Sequence, residues 1–522
     1  MEGFILHALQ VPFWLSFNRK QPLVTGLKSY ILRLARSGSL DRAWSLMEQH
    51  GLLDSTIDSR ALTLQARLVK DRAKRLAEDE RVHLFSLSAD LYCKAAALER
   101  SSYPLINAAS LRLLANQRSG SADLAQEVLN LLDADPNEGE TPYWREATRA
   151  EALLLLGREA EARAALKLAV TTHPEAWEDQ AATIGQFGLI QSHLKQDISW
   201  LDDFRPPPSV HFSGIVGMAF DGGNVKESIR QFLASERPGF VYGALAAGAD
   251  LLFAHEFLEY RNSASPFAEM HVVLPLPVDQ FRETSVRAYG ENWVPLFESA
   301  LDQATSVTIV GTDVSPLKLA IEHADQVAMG CTVRNAQVFQ SQAIGLTIVA
   351  PAEGLRPQLA AWQQSDRRLE IINGSRDRKI LSQNEDLYSR QKLMALVWFS
   401  NASLTKVSPY IDPDLTLVSE ESGCWLACDQ VVKAGDLAIQ LAGIDKAARI
   451  SMLYAIFDPI DPPKMLRDRA KVLANASMPG TVATDSSSAF VLTLQRWSGA
   501  INELGEIGTQ WGVEPVWSLS KF

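Results

Sequence analysis

Cysteine is scarce in this chain of 522 residues. The four cysteines are Cys93, Cys331, Cys424 and Cys428. Thiols that are so few and so scattered do not form a disulfide framework and are typical of a reducing compartment. Cys424 and Cys428 lie close in sequence, but no second pair of Cys or His residues lies nearby to complete a zinc site. We therefore expect buried thiols at these two positions, and no bound metal or cofactor.

Long apolar runs and an excess of basic residues are also missing. No stretch approaches the ~20 apolar residues of a membrane span. The formal charge of -12 argues against binding to nucleic acid or to anionic lipid, which are themselves negative. The apolar segment 4–17 does not have the pattern of a secretory signal peptide. It follows Glu2 instead of a basic region, and no small-residue cleavage site comes after it. These features predict a cytoplasmic protein that has no nucleic-acid or membrane partner.

Motifs of common enzymes are absent as well. The sequence contains no Walker-type phosphate loop, no nucleophile elbow and no zinc-protease motif. His255 and His323 have no serine or cysteine motif to serve as bases, so we interpret both as ordinary helix residues.

The N-terminal part, residues 1–200, predicts helix after helix. It is rich in Ala and Leu, with apolar residues at helical spacing. Segments 34–51 and 154–170 share a turn glycine, then a small residue, then a leucine. The shared positions are Gly38, Ala43 and Leu46 in the first segment, and Gly157, Ala162 and Leu166 in the second. Such repetition indicates tetratricopeptide-like helix pairs, which usually bind another protein; a purely structural platform is the alternative.

A different pattern follows the three prolines at 206–208, which predict a stiff linker. Between residues 209 and 365, short apolar runs bounded by Gly or Pro alternate with helical stretches. This order predicts a doubly wound, Rossmann-like sheet of about five parallel strands. We expect Gly330 to end one of the later helices of this region. The polar run that begins at residue 366 is expected to form a linker over residues 366–390.

Two glycine-rich turns of this region predict a ligand site. Gly243 ends a strand, and Gly248 and Asp250 open the next helix; a helix that begins behind such a turn commonly binds phosphate. The alternative is that the glycines only permit tight packing and that Glu256, further along, lies on a solvated face. The predicted ligand-binding residues are Gly214, Gly243, Gly248, Asp250, Glu256 and Pro275. A nucleotide-derived or other phosphorylated ligand is the expected guest.

In the C-terminal part, residues 391–522, extended segments and helices alternate in another order. An apolar run is followed by two close extended segments, a helix, a strand, a second helix and a further strand. This is the order of a β-α-β-β-α-β sheet domain.

Several segments resemble one family of bacterial signalling proteins. Residues 106–118 (INAASLRLLANQR) and 143–157 (YWREATRAEALLLLG) resemble its helical TRAFs-binding-type repeat domain. Residues 243–259 (GALAAGADLLFAHEFLE), 270–286 (MHVVLPLPVDQFRETSV) and 327–331 (VAMGC) are similar to the SLOG-like Rossmann domain that follows the repeats. The third domain of that family resembles a class III adenylate/guanylate cyclase. The resemblance thus implies repeats, a SLOG-like domain and a ferredoxin-like cyclase-type domain.

The sequence departs from the family where the cyclase chemistry would lie. Cyclases of this class hold two metal ions with two carboxylates. The resemblance places Ser400 and Ser422 at those positions, and Val472 where an arginine would stabilise the transition state. Neighbouring acidic residues, Glu420, Glu421 and Asp429, have a different register. In the SLOG-like part, Gly214-Ile215 stands where the family has Gly-His.

These observations lead to the hypothesis of a non-catalytic signalling protein. Its Rossmann-like domain would sense the ligand and its repeats would bind a partner protein. The degenerate cyclase domain would pair with a second copy or with a cyclase-like partner. One alternative is a nucleotide or nucleotide-sugar hydrolase with Glu256 as general base. Another is an active cyclase that uses other carboxylates, with Asp429 the first of them.

Overall fold

A computed structural model describes residues 23–36, 39–139, 141–377, 390–400, 404–412, 415, 417–477 and 479–521. The apolar segment 4–17 and Gly38 lie outside the described residues. The chain divides into two compact units. The described part of the first consists of residues from Leu23 to Pro206 with Asn502–Leu504, and that of the second of Pro207–Ile501 with Gly505–Lys521.

Apart from Asn502–Leu504, which belong to a strand, the described elements of the first unit are helical. Its helices are α1 (Leu23–Arg36), α2 (Leu40–Gln49), α3 (Ser59–Ala73), α4 (Glu78–Leu98), α5 (Ser102–Leu114), α6 (Arg118–Ala134), α7 (Pro142–Leu155), α8 (Glu159–Thr172) and α9 (Trp177–Leu194). Helices neighbouring in sequence pack in pairs, α3 with α4, α5 with α6 and α7 with α8. The predicted run of helices is therefore confirmed.

Small residues let these helices approach one another. Ala43 and Ala162, the predicted small positions, are fully buried. Gly157 follows α7 with φ of +74°, and its amide donates to Leu154, so it ends the helix in the left-handed conformation that favours glycine. At the end of the unit, the buried Trp200 ring makes an edge contact with Phe187, with 6.4 Å between ring centroids. These contacts close the core of the repeats.

The second unit contains a parallel sheet of six strands. They are β1 (Ser209–Gly214), β2 (Phe240–Gly243), β3 (Glu269–Leu274), β4 (Ser306–Ile309), β5 (Ala343–Val349) and β6 (Arg368–Asn373). The order across the sheet is β4-β3-β2-β1-β5-β6, and every pairing is parallel. The predicted Rossmann-like parallel sheet is thus compatible with the structure. The sixth strand is a correction, because it lies in the expected linker 366–390.

β6 escaped prediction because it is an edge strand. Its first four residues alternate between charged and apolar side chains, so Arg368 and Glu370 interrupt any apolar run. An edge strand keeps much of its surface exposed and therefore tolerates charged side chains. Backbone pairing with β5 over all six of its residues nevertheless places it in the sheet.

Helices cover the two faces of this sheet. They are α10 (Gly223–Glu236), α11 (Ala249–Ala264), α12 (Val278–Phe281), α13 (Val294–Gln303), α14 (Leu317–Val338) and α15 (Pro357–Gln364). On one face the Phe212 ring stacks on Phe253 of α11, with 4.6 Å between centroids. On the other, Asn335 of α14 donates to the Ser209 hydroxyl at 3.0 Å. The proline segment is tied to this unit too, since the Pro207 carbonyl accepts from the Ser341 hydroxyl at 2.8 Å.

A mixed sheet forms the rest of the second unit. Its strands are β7 (Lys392–Ser400), β8 (Leu417–Ser419), β9 (Gly423–Cys428), β10 (Arg449–Phe457), β11 (Thr481–Thr484), β12 (Ala500–Thr509) and β13 (Gly512–Ser520). Its helices are α16 (Leu404–Val407), α17 (Val431–Ile444), α18 (Lys464–Ala476) and α19 (Ser486–Leu494). The strand order is β12-β13-β11-β10-β7-β9-β8. β7 is antiparallel to both neighbours, whereas β10 and β11 are parallel.

Helix α14 packs between the two sheets. Gly330 lies in its interior, at the point where α14 meets α19. The expectation that Gly330 ends a helix is wrong, because glycine serves here for close packing. A glycine inside a helix costs about 1 kcal/mol relative to alanine, and the helix contact offsets that cost. Among the described helices, none combines the length and apolar character that a membrane span requires.

Candidate ligand site at the parallel sheet

The strand order of the parallel sheet reverses at β1. The chain proceeds from β1 to β2, β3 and β4 on one side, and then returns to β5 and β6 on the other. The connections that leave the carboxyl ends of β1 and β5 therefore diverge, and ligands of doubly wound sheets bind in the crevice between such connections. Residues 215–222 follow β1 and residues 350–356 follow β5. The candidate site lies between them.

The predicted glycines all contact protein atoms closely. A Cβ atom at Gly243 would lie 2.5 Å from the Phe212 carbonyl oxygen, and one at Gly214 would lie 2.5 Å from Ala249 Cβ. Gly248 has φ of +125°, and its Cβ would lie 2.6 Å from the carbonyl oxygen of Ile215. Glycine is therefore required at these positions by packing alone. Their role in ligand binding stays a prediction.

Four backbone amides near the start of α11 already have acceptors within the protein. The donor and acceptor pairs are Ala246 to Asp250 Oδ2 (3.2 Å), Ala247 to Ser285 O (2.9 Å), Ala249 to Ile215 O (3.0 Å) and Leu251 to Ala246 O (3.3 Å). A phosphate cradled at this helix end would need such amides to be free. The turn is thus built to hold the loop after β1 in place.

Asp250 is the charged group at this turn. Its side chain lies in the first turn of α11 and the residue is 8% exposed. Oδ2 accepts the Ala246 amide, and the Gly214 backbone also acts on this carboxyl group by lowering its pKa. Burial raises the pKa of Asp250 to about 7; the Asp325 carboxylate acts in the same direction and the Arg356 guanidinium opposes it. A buried carboxyl group with a raised pKa therefore lies at the crevice.

An ion pair from two other elements accompanies Asp250. Asp325 of α14 pairs with Arg356, which follows β5. Burial raises the pKa of Asp325, and the Arg356 charge opposes the shift. The same guanidinium also acts on His211 of β1, whose pKa is lowered to about 3, mainly by burial. The charge of Arg356 therefore acts on the pKa values of Asp250, Asp325 and His211.

Two polar residues of β1, His211 and Ser213, are buried. The Ser213 hydroxyl has no hydrogen-bond partner among the described residues, whereas the Tyr242 backbone acts on His211 and raises its pKa against the effect of burial. They lie two positions apart and so share one face of the strand. The sequence held a signal for them, since polar residues at alternate positions interrupt an otherwise apolar strand. No local pattern distinguished Asp325 and Arg356, which are brought together only by the fold.

Arg376 bridges the outer side of the crevice. Its guanidinium binds both carboxylate oxygens of Glu353 at 2.6 Å, and Nη1 donates to the Val216 carbonyl at 2.5 Å. Because these three residues follow β6, β5 and β1, the bridge joins the connections of three adjacent strands.

Glu256 and Pro275, the remaining predicted residues, lie in different surroundings. Glu256 is 3% exposed, which corrects the alternative that placed it on a solvated face. Its carboxylate accepts two hydrogen bonds from Arg230, at 2.7 and 3.2 Å. Pro275 follows β3, and its carbonyl oxygen would lie 2.2 Å from a Cβ at Gly311. Neither residue shares a described hydrogen bond or ion pair with Asp250.

The predicted cyclase positions lie at one end of the mixed sheet. Ser400 pairs in register with Gly423, the residue after Ser422, so the two serines are near each other. Asp429 follows the opposite end of β9, about 20 Å away at the rise of an extended strand. The described residues contain no group of three or more His, Cys, Asp or Glu that could hold a metal. At the two positions where the resemblance expects carboxylates, this end of the sheet therefore has two serines.

The neighbouring groups are engaged in the protein. Glu420 pairs with Arg467 and accepts a hydrogen bond from Trp425 Nε1 at 3.1 Å. Val472 lies half-buried on α18. Cys424 and Cys428 are buried, as expected. The Cys424 thiol donates to the Ser419 hydroxyl at 3.5 Å, and the Cys428 thiol donates to the Gln430 carbonyl at 3.4 Å.

The comparison with known protein families gives a match in the N-terminal part of the chain. Residues 11–112 match the family Tetratricopeptide Repeats-Sensor. Haemophilus influenzae LpoA, in a monoclinic crystal form, is 10% identical, with 68% of this chain and 75% of that chain covered and a TM-score of 0.12. No curated protein matched the chain. The N-terminal helical region is therefore similar to the repeats of the Tetratricopeptide Repeats-Sensor family.

Proposed function

We propose that this protein is a non-catalytic signalling protein that senses a nucleotide-derived or other phosphorylated ligand. The ligand binds in the crevice between the connections after β1 and β5. The observation that carries this proposal is the reversal of strand order at β1, with Asp250, Asp325 and Arg356 gathered beside it. Charged groups that are buried and mutually dependent are more frequent at functional sites than elsewhere.

The helical unit provides the surface for a partner protein. Stacked helix pairs form extended surfaces that bind other proteins. The match to tetratricopeptide repeats over residues 11–112 supports this role.

The mixed sheet is a cyclase-like domain without cyclase chemistry. Its strands β10, β7, β9 and β8 are neighbours in that order with antiparallel pairing, which is compatible with a ferredoxin-like β-α-β-β-α-β arrangement. Ser400 and Ser422 supply no carboxylate for metal ions. We propose that the domain is retained as a surface for a second copy of the chain or for a cyclase-like partner.

The test is a thermal-shift screen of the full chain against nucleosides, nucleotides, nucleotide sugars and inorganic phosphate. A sensor is stabilised by one class of ligand and returns it unchanged in mass spectrometry. Arg356→Gln should reduce the ligand-dependent shift, whereas Arg158→Gln, which removes an exposed ion pair of the helical unit, should preserve it. Absence of any shift, or conversion of the ligand, would contradict the proposal.

The two enzymatic alternatives lack a supporting observation. A hydrolase based on Glu256 needs a carboxylate that is free to take a proton, but Arg230 binds both of its oxygens. An active cyclase based on Asp429 needs that carboxylate near Ser400, but β9 separates them.

A further inference from the structure

The strand β4 lies at one edge of the parallel sheet. Among the described strands only β3 pairs with it, so its other side has no neighbouring strand there. Thr308 and Ile309 are exposed, Ile309 by 46%. The outer side of an edge strand presents main-chain N–H and C=O groups that can pair with another strand. β4 therefore offers a place where one more strand can be added.

The edge at β4 lacks the features that keep the other described edges from pairing. β6, the opposite edge of the same sheet, carries Arg368 and Glu370, and β12 of the mixed sheet carries Glu503 and Glu506. β8, at the other edge of the mixed sheet, has three residues. Charged side chains and short strands are the usual protection of an edge. The segment 303–312 (QATSVTIVGT), which contains β4, has no charged residue and is rich in β-branched side chains that favour strands.

The main-chain groups of β4 that face outward are those of Val307 and Ile309. Ile309 lies in register with Leu274 of β3, and the amide of the next residue, Val310, donates to the Leu274 carbonyl at 3.1 Å. Alternate residues of a paired strand direct both their N–H and their C=O groups to the same neighbour. Because Thr308 and Val310 direct theirs to β3, the two residues between and before them direct theirs away from it. These outward groups are available to an added strand.

The outward groups are complementary to a second copy of themselves. In an antiparallel pair of two β4 strands, Val307 of one copy lies opposite Ile309 of the partner subunit, and the twofold axis repeats the same pair. Each such pair exchanges both main-chain hydrogen bonds. The axis passes beside Thr308, which then faces Thr308 of the partner subunit in the closer, non-hydrogen-bonded arrangement. The exposed Ile309 is thereby covered by an apolar side chain.

The flanking charges are compatible with the same register. Continued past the strand, it brings Asp313 of one copy toward Gln303 of the partner subunit. The Arg261 guanidinium donates to the carbonyl oxygen and to Oε1 of Gln303, at 3.0 and 3.2 Å. Asp313 thus approaches a cation of the other copy, while the exposed Asp302 beside Gln303 offsets part of this attraction. Within the paired segment no like charges meet, so a second copy of the chain fits this edge.

We propose that β4 pairs with β4 of a second copy of this chain, antiparallel and centred on Thr308, so that two parallel sheets become one continuous sheet. The proposal goes beyond the ligand-sensing function and concerns a different strand edge from any surface of the mixed sheet. A single pair of short strands buries less than the roughly 1,600 Å² of a standard interface. We therefore expect a dimer that dissociates on dilution.

The experiment is sedimentation of the full chain over a series of concentrations. The natural protein should change from a mass of 57.5 kDa toward twice that mass as concentration rises. Thr308→Lys places like charges directly opposite each other, so the concentration at which half of the protein is dimeric should rise about tenfold or more. Ile371→Lys is the matched control, because it adds the same charge at an exposed position of β6, the opposite edge, and should leave the dimer unchanged.

A charge swap separates loss of pairing from damage to the fold. Thr308→Glu alone should also weaken the dimer, whereas an equal mixture of the Thr308→Lys and Thr308→Glu proteins should regain it, because opposite charges then face each other. In the natural protein, hydrogen exchange at the Val307 and Ile309 amides should slow as the dimer forms. A natural chain that stays monomeric at every concentration overturns the proposal. A dimer that Thr308→Lys leaves intact, or a mixture that stays monomeric, overturns it as well.

Discussion

Gly330 of α14 lies directly against the backbone carbonyl of Phe490 in α19, so that a Cβ at position 330 would come within 2.2 Å of the carbonyl oxygen. The contact joins the two sheets of the second unit. Four residues further along α14, Arg334 donates to the Ile501 carbonyl at 3.2 Å, at the start of β12.

Replacing Gly330 by Ala should destabilise this unit. The added methyl group meets backbone rather than a movable side chain, and overpacking of this kind lowers the free energy of unfolding by about 1–3 kcal/mol. Urea denaturation followed by tryptophan fluorescence measures the effect. Gly443→Ala on α17 is the control, because nothing lies within 4 Å of the new Cβ. Equal stability of the two variants would contradict the prediction.

Gly248→Ala should also lower stability, because backbone strain adds to the close contact with the Ile215 carbonyl oxygen. Its φ of +125° is a backbone conformation that residues with a side chain rarely adopt, which costs about 1–3 kcal/mol. Gly354→Ala, in the connection after β5, has open space around the new methyl group and should be tolerated. If a Gly248 variant lost ligand binding, the cause would therefore be a destabilised fold, unless its unfolding curve matched that of the natural protein.

His323 should contribute to acid sensitivity. Burial lowers its pKa to about 4, with Asp485 opposing the shift. The folded protein thus holds the neutral form, and this contribution to stability is present above the ordinary pKa near 6.5 and is lost as pH falls toward 4. The slope is at most about 1.4 kcal/mol per pH unit. His323→Leu should flatten the decline of unfolding free energy between pH 7 and 4.5. Parallel curves for the two proteins would show otherwise.

Asp250 should have the opposite pH dependence. Its folded pKa of about 7 lies above the ordinary value of 3.8, so the folded state retains a proton that the unfolded chain has released. The contribution is present below about pH 4 and is lost as pH rises toward 7. Asp250→Asn should therefore gain stability relative to the natural protein as pH increases from 5 to 7, at up to about 1.4 kcal/mol per pH unit. Paired urea titrations at both pH values check the sign.

The mixed sheet should make no cyclic nucleotide. Serine hydroxyls at positions 400 and 422 are neutral and hold divalent ions much more weakly than carboxylates. Val472 supplies no cation for the developing phosphate charge, a loss of about 2.7–4 kcal/mol if it resembles removal of a single donor. Ser400→Asp with Ser422→Asp should thus remain a poor enzyme. Mass spectrometry after incubation with ATP or GTP and manganese tests both proteins; abundant cyclic product from the natural chain would mean that other carboxylates bind the metals.

The parallel sheet was largely predictable because its central strands are continuous apolar runs. β6 was not, since an edge strand carries charges such as Glu370 that a local pattern assigns to a linker. Gly330 was misplaced because a glycine that ends a helix and one that admits a neighbouring helix look alike in sequence. At the candidate site, the glycine-rich turn around Asp250 could be predicted from the sequence. The pair of Arg356 and Asp325 could not be predicted, because 31 positions separate them and only the fold brings them together.

The position of α14 between two sheets limits where this chain can be cut into fragments that fold. A fragment cut after residue 365 would keep the helix but strip the layer that covers Gly330, leaving a bare contact surface in water. The reciprocal fragment would lose the partner of α19. Residues 209–365 and 391–522, which the sequence pattern separates, are therefore not independent folding units. A chimaera with a related protein should be joined ahead of Pro207, so that both sheets are inherited together.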